Sequence, residues 1–263
     1  MKVMGIVNVT PDSFSDGGEF FDHERAIEHG LGLVREGADV LDVGGESTRP
    51  GADAVPLEEE LRRVIPVVEG LAGAAPISID TTKAEVARQA IKAGARIVND
   101  VTALRGDPEM AGVCAESGVD LVLMHMLGTP RTMQTDPRYH DVVSEICEFL
   151  AVQAGIAEAA GIARNRIWVD PGIGFGKTVE HNLKLLAAIR RFTELDLPVL
   201  VGASRKRFIG EIAGGAAEAN RLGGTIAACL AAMNGGASMV RVHDVAPVVQ
   251  AFRVQEAIDR ARD

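Results

Sequence analysis

The stretch Val3-Met4-Gly5-Ile6-Val7-Asn8-Val9-Thr10-Pro11-Asp12-Ser13-Phe14-Ser15-Asp16-Gly17-Gly18 sets the pattern for the rest of the chain. Its first half is a short apolar run typical of a buried β-strand, with one amide, Asn8, near its end. Its second half is rich in Thr, Pro, Asp, Ser and Gly, which is the composition of a loop. The same order recurs down the chain, so the ends of the apolar runs indicate where a site would form.

Eight apolar runs can be read along the 263 residues, and helical stretches with apolar residues at three-to-four spacing separate them. The runs lie at about 3–9, 38–43, 76–80, 95–99, 119–124, 166–170, 197–202 and 237–242. The helical stretches lie at about 24–36, 57–73, 83–93, 109–117, 141–160, 180–192, 218–234 and 246–261. Strict alternation predicts parallel strands with right-handed crossovers, and eight units of this size predict an α/β fold, a single-domain (β/α)8 TIM barrel. A doubly wound open sheet is the alternative. No change in composition marks a boundary, so we expect one domain over residues 1–263.

A short repeat precedes four of the predicted strands and supports the barrel. Its copies are Glu36-Gly37-Ala38-Asp39, Ala93-Gly94-Ala95-Arg96, Ser117-Gly118-Val119-Asp120 and Gly235-Gly236-Ala237-Ser238. Each is typical of a helix that ends on a left-handed glycine and passes directly into a strand. The fifth residue after the glycine is Asp42, Asn99, Leu123 or Arg241, so three of these four strands are predicted to end in a polar side chain.

The predicted connections differ in length at the two ends of the strands. The joints from helix to strand are short, whereas long loops follow the strands at roughly 10–23, 44–56, 125–140 and 203–217. Active sites of barrel enzymes are built from the loops that follow the strands. The sequence therefore predicts a site at the carboxyl-terminal end of the barrel.

The bulk composition predicts a cytoplasmic protein that binds neither nucleic acid nor membrane. The net charge of −10 is unfavourable for a nucleic-acid partner, and no apolar run approaches the roughly 18 residues needed to span a membrane. Met1 and Lys2 lead directly into the first apolar run, so we expect no signal peptide. The three cysteines lack metal-type spacing and are predicted to be reduced packing residues.

Polar side chains at the predicted strand ends form a ring. Its members are Asn8, Asp42, Asp80, Asn99, Met124 or His125, Asp170, Gly202 with Ser204 beyond it, and Arg241 with His243. A single Asp or Asn could merely cap a loop, but several buried carboxylates in one place are costly unless each is paired or hydrogen-bonded. Asp80, Asn99 and Asp170 could bind the amino-pyrimidinone edge of a flat heterocycle. Lys206, Arg205, Arg241 and His243 lie where barrels of this kind commonly bind phosphate.

A glycine-rich stretch, Gly172-Ile173-Gly174-Phe175-Gly176-Lys177-Thr178, has some likeness to a phosphate-binding P-loop. Three residues separate Gly172 from Gly176 where that motif needs four, and Pro171 precedes it. The spacing is also wrong for a dinucleotide-binding motif, and the preceding strand is the sixth rather than the first. The chain also lacks a Gly-x-Ser-x-Gly elbow and a Cys/His metal cluster.

The motifs at the strand ends resemble those of the dihydropteroate synthase family over nearly the whole chain. They are Asn8 to Gly18, Asp42-Val43-Gly44-Gly45-Glu46-Ser47-Thr48-Arg49-Pro50-Gly51, Ser78-Ile79-Asp80-Thr81, Val98-Asn99-Asp100, Met124-His125-Met126, Asp170 to Lys177, Gly202-Ala203-Ser204-Arg205-Lys206 and Arg241-Val242-His243-Asp244. The resemblance implies a transferase of folate biosynthesis. Its substrates would be 6-hydroxymethyl-7,8-dihydropterin diphosphate and p-aminobenzoate, and its products 7,8-dihydropteroate and diphosphate.

The resemblance also implies a role for individual residues. The implied pterin-binding residues are Asp80, Asn99, Asp170 and Lys206, with Met124 packing on the ring and Asp42 at the pocket floor. The implied diphosphate-binding residues are Arg241, His243 and Asn8, and Asn8 would also hold Mg2+. The implied p-aminobenzoate-binding residues are Thr48, Arg49, Pro50, Phe175, Ser204, Lys206 and Phe14. The implied catalytic residues are Asp80, Lys206, Arg241 and Asp16, and the implied assembly is a homodimer formed through late barrel helices.

The implied reaction begins with departure of diphosphate from a methylene carbon whose positive charge the dihydropterin ring can share. Thr10 to Gly18, including Phe14 and Asp16, is predicted to be a mobile lid, while Asn8 stays in place. Two alternatives remain, a pterin-binding methyltransferase domain of corrinoid pathways and a non-catalytic pterin-binding paralogue. The methyltransferase domain would not need the Ser-Thr-Arg-Pro and Phe-Ser-Asp loops, and the complete phosphate motifs argue against the paralogue.

Overall fold

Eight parallel strands form one sheet that curves into a nearly closed barrel. The computed structural model describes residues 1–10, 18–49 and 51–261, and the side chains of 18–22 are outside that description. The strands are β1 (Lys2–Asn8), β2 (Val40–Gly44), β3 (Ile77–Asp80), β4 (Ile97–Asp100), β5 (Asp120–Met124), β6 (Ile167–Asp170), β7 (Leu200–Val201) and β8 (Met239–Val242). They are ordered β6-β5-β4-β3-β2-β1-β8-β7. A parallel bridge joins Val169 of β6 to Val199, which immediately precedes β7, and so connects the two edges of the sheet. All eight predicted strands and the barrel are confirmed, and the doubly wound alternative is wrong because the sheet closes on itself.

Ten α-helices occur in the described ranges and cover the outside of the barrel. They are α1 (Gly18–Glu36), α2 (Leu57–Leu71), α3 (Ala84–Ala93), α4 (Met110–Ser117), α5 (Val142–Ala159), α6 (Val179–Ala187), α7 (Ile189–Thr193), α8 (Arg207–Ile212), α9 (Leu222–Asn234) and α10 (Val245–Arg260). None of these helices is long and apolar enough to cross a membrane.

Three sequence-based boundaries are wrong. Helix α1 begins at Gly18, inside the loop predicted over 10–23, and the helix predicted over 180–192 is divided into α6 and α7. The loop predicted over 203–217 contains α8, whose Phe208 and Ile209 are buried. Two adjacent apolar residues provide too short a pattern for a helix to be read from periodicity, so packing against the core decides this element.

The repeated glycines end their helices as predicted. Gly37, Gly94, Gly118 and Gly236 have φ values of 105°, 126°, 61° and 88°. At Gly94 the backbone N–H donates to the carbonyl of Ile91, and the next N–H donates to the carbonyl of Ala90 at 2.9 Å. This pair of bonds is the Schellman motif, which satisfies carbonyls left over at the end of a helix.

The inner face of the barrel changes from apolar to polar along the strands. Side chains alternate between the two faces of a strand, so residues two apart share the inner face. A buried apolar layer closes the amino-terminal half; it consists of Met4, Val40, Ile97, Val122, Leu200 and Met239, with Trp168 packed against it. Two residues further along, Val40 is followed by Asp42, Ile97 by Asn99 and Met239 by Arg241. The apolar layer therefore supports the polar one and separates it from the opposite end of the barrel.

Replacing Gly94 tests the end of α3. A Cβ in this left-handed conformation is strained, so Gly94→Ala is expected to lower the free energy of unfolding by about 1–2 kcal/mol. Gly112→Ala is the matched control, because a Cβ there meets nothing within 4 Å. Gly112 lies within α4, where alanine is favoured by about 0.5–1 kcal/mol. Urea unfolding should shift the two midpoints in opposite directions, and an unchanged Gly94→Ala midpoint would contradict this account.

Candidate active site

A buried ion-pair cluster lies at the carboxyl-terminal end of the inner face. Arg241 Nε donates to Asp42 Oδ2 at 2.5 Å, and Arg241 Nη2 donates to Asp80 Oδ2 at 2.8 Å. Asn99 Nδ2 donates to the same Asp42 oxygen at 3.3 Å. Asp42, Asp80 and Asn99 are 0%, 8% and 4% exposed, so one guanidinium is shared by two carboxylates that have little contact with water.

Two buried oxygen atoms at the base of this cluster lack a hydrogen-bond partner within the described part of the chain. They are Asp42 Oδ1 and Ser78 Oγ, and strands β2 and β3 place these two residues opposite each other. Leaving a buried polar atom unsatisfied costs about 1–3 kcal/mol. This cost falls at the base of the cluster, where neither residue lines the cavity described below.

Burial shifts the acids and the lysines of the site in opposite directions. Burial raises the pKa of Asp170 to about 6, although the Gly172 N–H donates to Asp170 Oδ1 at 2.7 Å and stabilises the charged form. Burial also raises the pKa of Asp80, with Arg241 opposing the shift and Asp42 adding to it. Burial and the neighbouring charge of Arg241 lower the pKa of Lys206 to about 8. For the two buried acids and for Lys206, the charged form is therefore less favoured than it is in water.

Cations and their partners occupy the ends of β7 and β8. Lys206 Nζ lies 4.1 Å from the ring centroid of Phe175, a cation–π contact. The Ser204 hydroxyl is 3.0 Å from His243 Nδ1 and also accepts the His243 backbone N–H at 3.2 Å. Burial, followed by the charge of Arg241, lowers the pKa of His243 to about 3, so this imidazole is neutral at pH 7. Ser204 thus fixes the orientation of a neutral histidine.

These groups open into a cavity of about 1120 Å³. Of the predicted site residues, the cavity is lined by Asn8, Thr48, Arg49, Asp80, Phe175, Ser204, Lys206, Arg241 and His243. Four others, Asp42, Asn99, Met124 and Asp170, do not line it, and each is at most 5% exposed. Arg241 connects the two sets, because it bonds both to Asp80, which lines the cavity, and to Asp42, which does not. Phe14, Asp16, Pro50 and residues 11–17 of the lid predicted from Thr10 to Gly18 lie outside the described residues.

The donor set at Asn8 limits what kind of metal site could form. Its amide offers a hard oxygen ligand to the cavity. The described ranges contain no group of three or more His, Cys, Asp or Glu side chains arranged to hold a metal. Mg2+ commonly binds through one or two protein ligands, retained waters and substrate phosphates. The residues present therefore fit a Mg2+ ion that is carried mainly by a phosphate-containing ligand.

Several residues at the site were missed by sequence reasoning. Val101, Met126 and Met133 form a small buried cluster with Met124, and Phe175 packs against it. Met126 belongs to a motif at the end of β5, but Val101 and Met133 carry no chemical signal in the sequence. Glu218 also lines the cavity, and its Oε1 accepts a bond from Arg49 Nη2 at 3.0 Å. Contacts between residues so far apart in the chain depend on the tertiary fold.

The barrel and its grouped acids, amide and cations define the class: a barrel enzyme whose site takes a polar, charged small molecule. The chain belongs to the pterin-binding enzyme family, whose model matches residues 4–243, and within it to the dihydropteroate synthases.

Known dihydropteroate synthases match this chain over almost their full lengths. The dihydropteroate synthase of Escherichia coli is 47% identical over 263 residues, covering 99% of this chain and 93% of the relative. The dihydropteroate synthase of Xanthomonas albilineans with 4-aminobenzoic acid is 53% identical, with a TM-score of 0.93 and coverage of 98% of this chain and 93% of that one. A second structure of the Xanthomonas enzyme, in complex with 7,8-dihydropteroate, is 50% identical with a TM-score of 0.89, covering 98% of this chain and 93% of that one.

The raised pKa of Asp170 predicts a pH-dependent stability. Between its ordinary pKa of 3.8 and about 6 the unfolded chain releases the Asp170 proton while the folded chain keeps it, so this group lowers stability as pH rises. Asp170→Asn should therefore gain stability relative to wild type between pH 4 and 7, by about 2–3 kcal/mol. Urea unfolding at each pH measures the difference, and a constant difference would refute it.

Asp141→Asn is the control with the opposite sign. Asp141 caps α5, and its bonds from Ser144 lower its pKa. Its contribution is present above the unfolded pKa and is lost as pH falls through the folded one. This variant should therefore lose stability relative to wild type as pH rises from 3 to 7.

Proposed function

We propose that this chain condenses 6-hydroxymethyl-7,8-dihydropterin diphosphate with p-aminobenzoate to give 7,8-dihydropteroate and diphosphate in folate biosynthesis. One observation carries the proposal: buried acids and an amide adjoin the cations of one cavity. A pterin has ring and amino N–H donors for the acids, and a diphosphate has the negative charge for the cations. The Xanthomonas structures with 4-aminobenzoic acid and with 7,8-dihydropteroate support the same substrates.

We assign the inner part of the site to the pterin. Asp80, Asn99, Asp170 and Lys206 would bind its polar edge, with Asp42 beneath them and Met124 against the ring. Their low exposure supports this assignment, because ligand N–H donors would satisfy acceptors that water reaches poorly. Arg241 already pairs with both Asp42 and Asp80 without a ligand, so pterin binding would have to share or displace that guanidinium.

We assign the cation side to the diphosphate. Arg241 and His243 would bind it, the neutral His243 as a hydrogen-bond donor oriented by Ser204. Asn8 would hold Mg2+ together with diphosphate oxygens, and the ion would supply Lewis-acid stabilisation of the departing charge.

We assign the outer part of the cavity to p-aminobenzoate. Thr48, Arg49, Phe175, Ser204 and Lys206 would form this side, joined by Phe14 and Pro50. Arg49 and Lys206 bring positive charge suited to the benzoate carboxylate. Arg49 is paired with Glu218, so a carboxylate substrate would compete with an internal one.

The proposed reaction is loss of diphosphate followed by capture of the resulting cation by the arylamine. The bond between the methylene carbon and the diphosphate oxygen breaks, and its electron pair leaves with diphosphate. Asp80 stabilises the positive charge that develops on the pterin methylene. The neutral arylamine nitrogen of p-aminobenzoate forms the new C–N bond and afterwards loses a proton. Asp16, in the predicted lid, would help to exclude water, which otherwise competes for the cation.

Assembly and location belong to the same proposal. We propose a homodimer through the late helices, supported by the exposed apolar side chains of Ile212 and Leu222 on α8 and α9. We propose a cytoplasmic location, supported by the thiols of Cys114, Cys147 and Cys229, none of which forms a disulfide. Residues 1–263 would act as one domain.

Substrate dependence tests the reaction itself. Diphosphate release from the pterin diphosphate should rise at least about tenfold when p-aminobenzoate is added, because the arylamine captures the cation. Chelation with EDTA should suppress the release and added Mg2+ should restore it. A pyrophosphatase-coupled assay measures both effects. A folded sample without p-aminobenzoate stimulation would overturn the proposal and favour a non-catalytic pterin-binding protein.

Replacing Asp80 tests its role in the transition state. Asp80→Asn keeps the shape but removes the charge, so kcat should fall about 100-fold or more while the Kd for the pterin diphosphate changes about tenfold or less. Turnover and isothermal titration calorimetry give the two quantities. Asp120→Asn is the control, because Asp120 begins β5 at the opposite end of the barrel and accepts a bond from Trp168 Nε1. Equal losses of kcat and affinity in Asp80→Asn would refute the role.

A further inference from the structure

Lys83 lies between two carboxylates from different parts of the chain. Its Nζ donates to Glu46 Oε2 and to Glu60 Oε2, each at 2.5 Å. Glu60 belongs to α2 and its side chain is 1% exposed, and its other oxygen accepts the Thr81 hydroxyl at 2.7 Å. Burial opposes the charge of Lys83, but its bonds to Glu46 and Glu60 raise its pKa, so the ammonium is permanent at neutral pH.

Glu46 lies in the segment that joins β2 to α2, of which residues 45–49 and 51–56 are described here. The start of this segment is held firmly. A Cβ on Gly45 would lie 2.7 Å from Val64 of α2, and the Gly45 carbonyl accepts a bond from Arg63 Nη1 at 2.9 Å. Glu46 Oε2 also accepts the backbone N–H of Val55 at 3.3 Å, which ties the two ends of the segment together.

The described tip of the segment is held by backbone bonds, because the Gly51 N–H donates to the Pro130 carbonyl and the Ala52 N–H to the Arg49 carbonyl, each at 3.0 Å. Ser47 and Thr48 are half-buried, and the Arg49 side chain is 66% exposed. The Arg49 side chain donates to Glu218 Oε1 at 3.0 Å, and the Arg49 backbone N–H donates to Ser47 Oγ at 3.4 Å. Glu46, two residues before Thr48, is tied to the buried Glu60 through Lys83, so Lys83 links the start of the segment to the interior of the protein.

We propose that Lys83 is a positioning residue for the p-aminobenzoate side of the site. It acts through Glu46, which lines the cavity, whereas Lys83 itself does not line it. Fixing Glu46 against the buried Glu60 sets where Thr48 and Arg49 enter the cavity. The inference rests on the proposed function, because it takes Thr48 and Arg49 as p-aminobenzoate residues. It adds a residue that touches neither substrate.

A simpler role for Lys83 would be to neutralise the buried Glu60 carboxylate. Losing one partner of a buried pair leaves an uncompensated charge, which destabilises the fold regardless of the substrate. The two roles predict different effects when the Glu60 charge is also removed from a variant that lacks Lys83. Removing it restores stability in both cases, but it does not return a partner to Glu46.

The experiment compares the two Michaelis constants in Lys83→Met. Small displacements of a binding group have large effects, so we expect the KM for p-aminobenzoate to rise about tenfold. The kcat and the KM for the pterin diphosphate should change by less than about threefold. Lys83→Arg should restore much of the loss, because its guanidinium can also join two carboxylates. Lys92→Met is the matched control, because Lys92 is exposed in the last turn of α3, the helix that Lys83 precedes.

Two further variants separate positioning from charge neutralisation. Lys83→Met combined with Glu60→Gln should recover thermal stability yet keep the raised KM for p-aminobenzoate. Glu46→Gln should raise the same KM without unfolding the protein. Hydrogen exchange supplies a readout independent of activity: in Lys83→Met the Val55 amide should exchange faster, because its acceptor, Glu46, is no longer held.

The outcomes distinguish this inference from the proposed function. If wild type shows no p-aminobenzoate-dependent diphosphate release, the proposed function fails. If wild type turns over but Lys83→Met keeps the wild-type KM for p-aminobenzoate, only the positioning role fails. The role also fails if the double variant returns that KM to the wild-type value, or if both Michaelis constants rise equally.

Discussion

The guanidinium of Arg241, shared between Asp42 and Asp80, is the interaction on which the rest of the site depends. Three charges with little access to water are tolerated because the positive one lies within 2.8 Å of both negative ones. Removing one member of such a group leaves an unpaired buried charge, at a cost of roughly 3–5 kcal/mol. The arrangement requires strands β2, β3 and β8 to end at the same level. The closed barrel meets this requirement by placing β1 between β2 and β8.

Burial then gives the site its chemical character. It raises the pKa values of Asp80 and Asp170 and lowers those of Lys206 and His243. A ligand that brings both N–H donors and negative charge would stabilise both classes of group, because the donors favour the ionised acids and the negative charge favours the protonated lysine. The apolar layer that includes Met4 and Met239 makes this possible by closing the barrel beneath the polar groups.

Much of the fold and of the inner site can be predicted from local pattern. Asp42, Asn99 and Arg241 follow at a constant distance from glycines that end helices, so their place on a strand is encoded within a few residues. Helix α8 could not be predicted in this way, because only its burial against the core indicates a helix. Contacts such as those between Arg49 and Glu218, or between Lys83 and Glu46, join loops whose courses depend on distant packing.

The sequence by itself determined eight strand–helix units, their order and the polar residue at most strand ends. These features have short periods and depend on each segment's own side chains. Only the tertiary structure decided that Arg241 turns inward to Asp42 and Asp80, that Ser204 orients His243, and that Lys83 holds Glu46. The physical reason is that a charged side chain has several possible partners along the chain. Closure of the barrel selects among them by bringing a few within bonding distance and excluding water from the rest.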